Sequence, residues 1–408
     1  MNADQNNYMK FSHSDKLMPQ EEVLEKDRQS SQLTIGLPKE VVAEENRIGL
    51  VPEAAGLLVA NGHKVMLESG AGNPAHFQDH EYSEAGVQIV NSSEEVFKAD
   101  LILKVASPSM EEIDKMKNHQ TLISALNVMS QSRDYFKKLS YKKITGIAYE
   151  YTQDKTGTYP VRRSMSEIVG KASIMIASQY IRDGEFGRGS MLGGFPGITP
   201  SEIVILGAGT VGENAARTAL GLGAVVKVFD HSIYRLRRLQ ENLNTRVFTS
   251  IIQPKVLNKS LKSADVVIGA VHSIDGKTPC IVNEETVRQM KQGSVVIDVS
   301  IDQGGCFETS KLTTHKNPVY KVHDVTHYCI PNIASSVPHT ASYALSNFFA
   351  PVLLSIGEEG GIDNLLKRDF GLCKGTYLYN GILTNKYISD LFQLPFQDIE
   401  LLMAAFRR

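Results

Sequence analysis

A glycine-rich turn between two apolar segments constrains the fold of this chain more than any other feature. The apolar run EIVIL at 202–206 leads into the turn residues Gly207, Ala208, Gly209, Thr210, Val211 and Gly212. Gly207 permits a tight turn, Gly209 lets the backbone approach a pyrophosphate, and Gly212 allows a helix to pack closely on the strand. The small-residue segment ENAARTAL follows, and the N-terminus of such a helix faces negative charge. The pattern predicts a Rossmann-type βαβ unit that binds a dinucleotide.

An acidic residue in the next apolar run indicates which dinucleotide binds. The run AVVKVFD ends at Asp230, 18 positions after Gly212. A carboxylate there accepts hydrogen bonds from the adenosine ribose and repels a 2′-phosphate, so the sequence favours NAD over NADP. Arg235 lies close enough in sequence to accommodate a phosphate, which keeps NADP as an alternative. A glycine turn without a ligand is the third interpretation, and the order of strand, glycines, helix, strand and acid disfavours it.

Two series of apolar runs, separated by amphipathic stretches, predict the architecture. The first series reads LTIGLPKE, KVMLESG, LILKVA, TLISAL and ITGIAYE. The second reads EIVILGAG, AVVKVFD, DVVIGAV, GSVVIDVS and YKVHDV, and its runs are almost continuously apolar, as strands covered on both faces are. This spacing is typical of βαβ units, so we expect an α/β fold with two doubly wound, mainly parallel sheets.

Two long helical segments, 165–182 and 340–356, separate the series and are long enough to join two domains. The residues after the second helix are too few for a third α/β domain and are expected to return to the first. We therefore expect a Rossmann domain inserted in a discontinuous flavodoxin-like catalytic domain. The expected parts are a polar N-terminal tail at 1–31, the catalytic domain at 32–160 and 341–408, and the Rossmann domain at 161–340.

Composition excludes several classes of function. The chain has 408 residues with 43 basic and 45 acidic side chains, and a net charge of -2 gives no global attraction to nucleic acid or to anionic membranes. Its four cysteines are widely spaced, which predicts neither a disulfide framework nor a zinc site and favours the cytoplasm. No apolar run reaches the ~18–20 residues that a spanning helix needs. We expect a small-molecule substrate, no metal, and neither nucleic acid nor membrane as partner.

Polar residues directly after predicted strands are the candidates for chemistry, because ligands of doubly wound sheets lie beyond the carboxyl ends of the strands. Asp302, in IDQGG at 301–305, and Asn332 follow strands of the second series. Asp302 could relay a proton beside a cofactor, or it could merely cap its own loop. Arg47 follows the first strand and could hold a carboxylate through two parallel hydrogen bonds, or it could be a solvated surface arginine.

Together these segments resemble the alanine dehydrogenase family, which shares ancestry with the NAD-binding subunit of proton-translocating transhydrogenase. The resemblance covers residues 32–408 and includes IGLPKEVVAEENRIGLVPEAAG, MSEIVGKAS, GGFPGITPSEIVILGAGTVGENAA and VHDVTHYCIPNIASSVP. The segments SIDQGGCFETS and TASYALSN are similar to the soluble dehydrogenase branch. The resemblance implies a two-domain fold of the kind argued above, with the long helices as its hinge, and a homohexamer.

The resemblance also implies roles for particular residues. Arg47 would bind the substrate carboxylate, and Asp302 would be the acid/base beside the nicotinamide. The residues that would contact NAD are Ser166, the turn Gly207 to Gly212, Asp230, Arg235, Val271 and Asn332. The implied reaction is the reversible NAD-dependent oxidative deamination of L-alanine to pyruvate and ammonia.

The chain departs from the family at two positions. Ala106 stands where family members have a substrate-binding lysine, and Asn127 stands where they have the catalytic histidine. Asn127 can donate a hydrogen bond to a reacting oxygen but cannot exchange a proton near neutral pH. Arg162 or Arg163 could supply the missing positive charge, or both could face solvent or another subunit.

These departures leave two alternative functions open. One is a dehydrogenase of the same superfamily that acts on another amino or keto acid. An inward-pointing Arg162 would favour a dicarboxylate or an N-substituted amino acid, because a second buried cation needs a second anion. The other is an NAD-binding relative without catalytic activity.

Overall fold

The computed structural model describes residues 31–273 and 276–405, so the predicted tail at 1–31 lies, except for residue 31, outside the described residues. The strands are β1 (Thr34–Leu37), β2 (Lys64–Glu68), β3 (Gln88–Val90), β4 (Leu101–Leu103), β5 (Thr121–Ser124), β6 (Thr145–Ala148), β7 (Glu202–Leu206), β8 (Val225–Asp230), β9 (Phe248–Ile251), β10 (Val266–Gly269), β11 (Val295–Asp298), β12 (Val319–Val322), β13 (Val325–Tyr328), β14 (Thr376–Tyr379) and β15 (Ile382–Leu383). The α-helices are α1 (Pro52–Ala60), α2 (Asp79–Glu84), α3 (Ser93–Val96), α4 (Met110–Lys115), α5 (Arg133–Tyr141), α6 (Pro160–Arg182), α7 (Thr210–Gly221), α8 (Ile233–Leu243), α9 (Pro254–Ser263), α10 (Glu284–Arg288), α11 (Pro338–Glu358), α12 (Ile362–Arg368), α13 (Phe370–Gly375), α14 (Lys386–Phe392) and α15 (Ile399–Ala405).

The first sheet has the strand order β15-β14-β6-β5-β4-β1-β2-β3. The strands from β6 to β3 are parallel to one another, whereas β14 pairs with β6 and with β15 in the antiparallel sense. The six parallel strands have the order β3-β2-β1-β4-β5-β6, which is the order of a Rossmann sheet; without the short edge strand β3 the order is the flavodoxin-like one that was expected. The C-terminal segment thus contributes two strands to the sheet that the N-terminal segment builds.

The second sheet has the order β12-β13-β11-β10-β7-β8-β9, and β12 is its one antiparallel strand. The first five strands of this sheet in sequence lie in the order β9-β8-β7-β10-β11, which is the order of a Rossmann sheet. The strand order reverses at the boundary between the adjacent strands β7 and β10. The prediction of two doubly wound sheets is therefore confirmed. One detail was wrong: YKVHDV is not a single strand, because His323 and Asp324 adopt left-handed backbone conformations and turn the chain back from β12 into β13.

The apolar character of the second series follows from burial on both faces of the sheet. Along β7, Ile203 and Ile205 pack in one apolar cluster, whereas Val204 and Leu206 pack in another on the opposite face. All four side chains are completely buried. The uninterrupted apolar sequence of such a strand is therefore required by helices on both sides of the sheet.

The two predicted long helices are confirmed as α6 and α11, and they lie between the sheets. Gly170 of α6 lies so close to α7 that a Cβ atom would be 2.4 Å from the carbonyl oxygen of Val211. In α11, the buried Ser342 and Ser346 accept hydrogen bonds from the backbone N–H groups of Ile48 and Val51, at 2.9 and 2.8 Å. Helix α6 thus packs against the first turn of α7, and α11 holds the segment that follows β1. Among the described helices, none is long and apolar enough to cross a membrane.

Candidate functional site

The glycine turn after β7 has the geometry that the sequence predicts. Gly207 has a φ of 108°, and a Cβ atom there would be 2.3 Å from the carbonyl oxygen of Ala270. A Cβ atom at Gly212 would be 1.9 Å from the carbonyl oxygen of Gly207, so both glycines are required by the fold itself. Gly209 differs, because a Cβ atom there would have no protein atom within 4 Å. The open space above Gly209 is the space that a ligand would fill.

Residues around this turn fit the pyrophosphate of a dinucleotide. Helix α7 starts at Thr210, and no side chain caps its first turn, so its N–H groups are available to an anion. Ala208 donates its backbone N–H to Asp230, and Val211 packs against Gly170 through its carbonyl oxygen. The open face at Gly209 and the free helix N-terminus together form a cradle for phosphate oxygens.

Asp230 lies at the end of β8, as a ribose-binding acid should. Its buried carboxylate accepts the backbone N–H of Ala208 at 2.7 Å and that of Ser232 at 2.8 Å. Each oxygen keeps a second lone pair for a ribose hydroxyl. Arg235 lies 3.9 Å from the same carboxylate and is partly exposed. Its pairing with Asp230 balances its charge, which supports the unphosphorylated ribose.

Two other expected cofactor contacts lie close to this turn. Ser166 is on α6 and lines a polar cavity of about 400 Å³ that also includes Thr210. Val271 follows β10 and donates its backbone N–H to the hydroxyl of Ser300 at 3.0 Å. Both residues are half-buried at the interface between α6 and the second sheet.

A buried carboxylate fixes the loop that carries Asp302. Asp298, the last residue of β11, accepts hydrogen bonds from the N–H groups of Ser300 and Cys306, at 3.0 and 2.9 Å. It also accepts a hydrogen bond from the hydroxyl of Ser310 at 2.5 Å. Residues 299–303 form a 3₁₀ turn, and Gly304 follows with a left-handed φ of 96°. The side chain of Asp302 is thus held at the carboxyl end of the strand.

Asp302 has an unusual proton affinity. Desolvation by the surrounding protein raises its pKa to about 6, although the residue keeps an accessible surface. The backbone N–H of Asn332 and the charge of Arg47 act in the opposite direction. Asp302 is therefore close to Arg47, which belongs to the other sheet. A carboxyl group that titrates near neutral pH in a cleft is suited to proton transfer.

Arg47 is held by a neighbouring acid. Its Nε donates to Oε1 of Glu45 at 2.7 Å, and its Nη2 donates to Oε2 at 2.6 Å. The Nη1 group contacts the sulfur of Met165 on α6 at 3.4 Å. Burial acts to raise the pKa of Glu45, but hydrogen bonds and charge from Arg47 outweigh it and lower that pKa. Because Glu45 occupies only the Nε and Nη2 side, the Nη1–Nη2 end remains for a second carboxylate.

The loop of Arg47 is attached to the second sheet by hydrogen bonds. The amide of Asn332 donates to Glu45 at 2.9 Å, and the hydroxyl of Ser335 donates to the carbonyl oxygen of Glu44 at 2.7 Å. The N–H of Asn46 donates to Ser335 at 2.9 Å. Asn332, expected as a cofactor contact, therefore also orients the acid that orients Arg47.

The nearby Lys104 does not replace the positive charge that is missing at Ala106. Lys104, two residues earlier, is completely buried and contacts Glu112 at 2.7 Å and Glu40 at 3.2 Å. Glu40 also accepts the backbone N–H groups of Val105 and Ala106, at 2.6 and 3.3 Å. Lys104 is thus fully committed to two internal carboxylates and cannot supply the charge that the alanine lacks.

Asn127 lies on an exposed turn after β5 with a left-handed φ of 45°. Its side chain makes no hydrogen bond within the part of the chain that the structure describes, so it is free to contact a ligand. Glu150, which follows β6, holds this turn: its Oε1 accepts the N–H of Leu126 at 2.7 Å and that of Asn127 at 3.3 Å.

The two neighbouring arginines of α6 have different surroundings. Arg162 is half-buried, its guanidinium lies 5.2 Å from the centre of the Tyr159 ring, and its Nη2 lies 3.0 Å from Nε2 of His272. Burial, together with the charge of Arg162, lowers the pKa of His272, so the imidazole is a neutral acceptor for this bond. Arg163 is exposed and pairs with Glu167 at 3.1 Å. Of the two candidates, Arg162 is the one placed between the sheets.

Sequence reasoning missed Glu45, Glu150 and His272 as parts of the site. Glu150 and His272 each follow a parallel strand closely, so the rule that located Asp302 could have found them. Glu45 lies in the same segment after β1 as Arg47, so the rule applied to it as well, but its bond to Asn332 of the other sheet has no signal in the sequence. Within residues 31–273 and 276–405, no group of three His, Cys, Asp or Glu side chains could hold a metal ion.

The fold and the site fit an α/β oxidoreductase, with a glycine turn suited to a dinucleotide on one sheet and an arginine suited to a carboxylate on the other. Comparison with known proteins narrows this class. The sequence model "Alanine dehydrogenase/PNT, N-terminal domain" matches residues 36–169, and "Alanine dehydrogenase/PNT, C-terminal domain" matches residues 173–386. The chain belongs to the alanine dehydrogenase/PNT family, which confirms the resemblance.

Relatives and solved structures agree with this membership. An alanine dehydrogenase from Mycolicibacterium smegmatis is 37% identical over 91% of this chain and 100% of its own length. One from Methanococcus maripaludis is 39% identical over 90% of this chain and 99% of its own. A solved L-alanine dehydrogenase is 36% identical with a TM-score of 0.83, covering 88% of this chain and 99% of its own.

A transhydrogenase from Sinorhizobium meliloti shares the fold at 23% identity, with a TM-score of 0.75 over 87% of this chain and 99% of its own. Membership of the family confirms the expectation that the cofactor is NAD. The cradle at Gly209 and the carboxylate of Asp230 fit that cofactor. The coarse class follows: an NAD-dependent dehydrogenase related to those that act on amino acids.

Proposed function

We propose that this protein catalyses the reversible NAD-dependent oxidative deamination of L-alanine to pyruvate and ammonia. The observation that carries the proposal is the proximity of Arg47, on the segment after β1, to Asp302, on the turn after β11. The two side chains are close enough for the positive charge of Arg47 to lower the pKa of Asp302. An anion-binding fork thus lies beside a carboxyl group that titrates near neutral pH. An amino acid offers both partners, a carboxylate for the arginine and an amine for the acid.

Arg47 binds the α-carboxylate in this scheme. Its Nη1–Nη2 end offers two parallel N–H groups, which is the geometry that a carboxylate accepts best. Glu45 and Met165 prevent the guanidinium from rotating, so little side-chain entropy is lost on binding. The carboxylate is thereby fixed relative to α6 and the cofactor sheet.

Asp302 handles the proton on nitrogen. With a pKa of about 6 it is mainly ionised at neutral pH and takes a proton from the substrate ammonium. NAD, if held in the cradle, would supply the acceptor for the hydride that leaves Cα. Asp302 passes the ammonium proton to solvent, and its restored negative charge stabilises the iminium cation that remains on the substrate. Water then adds to the iminium carbon, and the amide of Asn127 donates a hydrogen bond to the oxygen that this water brings to the substrate.

Roles for further residues are part of the same proposal. Arg162 supplies a second positive charge near the substrate. The residues proposed to contact NAD are Ser166, Gly207, Ala208, Gly209, Thr210, Val211, Gly212, Asp230, Arg235, Val271 and Asn332.

The organisation of the protein is likewise proposed. The division into 32–160 with 341–408 and 161–340 is supported by the separate strand content of the two sheets. We also propose a homohexamer, on the family resemblance, and action in the cytoplasm, where the four free cysteines would stay reduced.

The half-buried position of Arg162 favours one specific alternative, a substrate with a second anionic group. The test is NADH oxidation by the purified protein with ammonium and pyruvate, oxaloacetate, 2-oxoglutarate or glyoxylate, with NADPH as the cofactor control. The highest kcat/KM with pyruvate supports L-alanine as the substrate. A preference for oxaloacetate or 2-oxoglutarate supports the alternative if it disappears in Arg162→Met and persists in the matched control Arg163→Met. Tight NADH binding without turnover of any oxo acid would refute a dehydrogenase and leave a cofactor-binding relative.

A further inference from the structure

One carboxyl oxygen near Asn127 has no partner. Oε1 of Glu150 accepts two backbone N–H groups, from Leu126 and Asn127. Oε2 of the same carboxyl group is shielded from solvent and makes no hydrogen bond to any residue that the structure describes. A buried carboxyl oxygen without a donor is costly, so it is retained where the group has another use. Because both donors are on Oε1, the proton of the neutral carboxyl group belongs on Oε2.

The fold places this carboxyl group at the sheet edge that also carries Asn127 and Arg47. Glu150 follows β6, and Asn127 follows β5, the neighbouring parallel strand. Tyr149, the residue before Glu150, is close enough to Arg47 for their charges to interact, and its hydroxyl donates to the carbonyl oxygen of Val105 at 2.7 Å. Glu150 therefore lies at the sheet edge that carries the substrate arginine, on the side of Asn127.

The groups around Glu150 form a polar cluster inside the protein. Among the described residues, six side-chain atoms are buried and unpaired, and three of them are Glu150 Oε2 and the hydroxyls of Tyr135 and Tyr377. The two tyrosines, from α5 and β14, interact with each other and with the charge of Glu150, but neither makes a hydrogen bond of normal geometry. The other charged or titratable groups that face Glu150 are Arg162 of α6 and, from its own turn, Tyr149 and Tyr151.

We propose that Glu150 exchanges the protons of the water-addition steps of the deamination, which Asn127 cannot exchange. The inference rests on the proposed function and adds a proton-exchanging residue to it. Water bonds to the iminium carbon, the π pair of the C=N bond moves to nitrogen, and one proton of the water passes to ionised Glu150. Glu150 returns this proton to nitrogen, and the C–N bond then breaks with its electron pair leaving on ammonia. The carbonyl forms as the hydroxyl proton passes to Glu150, which releases it before the next turnover.

The chemistry divides between two carboxyl groups. Asp302 removes the proton of the ammonium before hydride transfer, and Glu150 acts after it. Burial raises the pKa of Glu150, and the charge of Arg162 limits that rise. The carboxyl group of Glu150, unlike the amide of Asn127, can take up and return a proton.

Two substitutions separate proton exchange from support of the Asn127 turn. In Glu150→Gln the amide oxygen can still accept the N–H groups of Leu126 and Asn127, but the side chain can no longer carry a proton. Glu150→Ala removes both capacities. Stopped-flow absorbance of NADH, with alanine and NAD, then separates the first hydride transfer from steady-state turnover.

We expect Glu150→Gln to form one equivalent of NADH per site at the native rate and then to turn over about 10²-fold more slowly. The native pH dependence of the slow step should be lost, and Glu150→Ala should slow the first turnover as well. An equal slowing of both phases in Glu150→Gln, or a steady state like that of the native enzyme, overturns the inference. Native enzyme that turns over no amino acid instead refutes the proposed function itself, so the two failures are distinguishable.

Discussion

A methyl group on Gly209 should separate cofactor binding from folding. The site of its Cβ atom has no protein atom within 4 Å, and the φ of -78° is common for alanine. Gly209→Ala therefore causes no strain, and the smaller entropy of its unfolded chain should stabilise the protein by about 0.4–1 kcal/mol. The same methyl group lies where the pyrophosphate approaches the backbone. Loss of one charge-assisted hydrogen bond there costs about 1.5–3 kcal/mol, or roughly 10- to 150-fold in affinity for NADH.

Gly212→Ala is the matched control. Its Cβ atom would lie 1.9 Å from the carbonyl oxygen of Gly207, and backbone cannot yield as a side chain can. We expect this variant to lose at least about 1–3 kcal/mol of stability as well as affinity. Thermal unfolding measures the first quantity and titration of NADH fluorescence the second. Native affinity for NADH in a normally folded Gly209→Ala variant would refute the placement of the pyrophosphate over this turn.

Three further predictions concern the cleft. Arg47→Lys keeps the positive charge but loses the planar guanidinium. The KM for the amino acid should therefore rise about tenfold or more, while the affinity for NADH stays unchanged. An unchanged KM in steady-state assays would show that Arg47 does not bind the substrate. Protonation of Asp302 should reduce the deamination rate below about pH 6, and a pH profile of kcat/KM that keeps this limb in Asp302→Asn would assign the limb to another group. The folded protein holds the pKa of Asp302 above its value in the unfolded chain, so ionisation of Asp302 between about pH 4 and 6 lowers the stability of the fold. The melting temperature of Asp302→Asn should therefore exceed that of the native protein at pH 8 and equal it at pH 4. The reverse order of melting temperatures would contradict the raised pKa.

The dinucleotide turn was predictable in detail because its requirements are local. Gly207 and Gly212 are needed by backbone contacts within a few residues, and Asp230 ends the next strand. Asp302 and Arg47 were predictable by a rule of topology, since parallel strands bring their carboxyl ends to one edge. The locations of Asp302 and Arg47 thus follow from the order of the strands.

Other features depend on contacts that sequence spacing does not encode. Glu45 is oriented by Asn332, which is 287 residues away, and its role emerges only when the two sheets meet. The hairpin of β12 and β13 was missed because its turn, His323-Asp324, lacks the glycine or asparagine that usually marks such turns. The choice between Arg162 and Arg163 was open because adjacent helical residues point about 100° apart, and only the packed structure shows which one faces the other sheet.

Helix α6 has a consequence for the spacing of the whole site. Met165 contacts Arg47, and Gly170, five residues on, contacts the first turn of α7 beside the pyrophosphate cradle. These five residues span about 7.5 Å of helix, so α6 sets the distance between the proposed binding sites of the substrate carboxylate and of the NAD pyrophosphate. Inserting one residue between them would rotate one end about 100° relative to the other and shift it by about 1.5 Å. The length of this short stretch is therefore under tighter constraint than its composition.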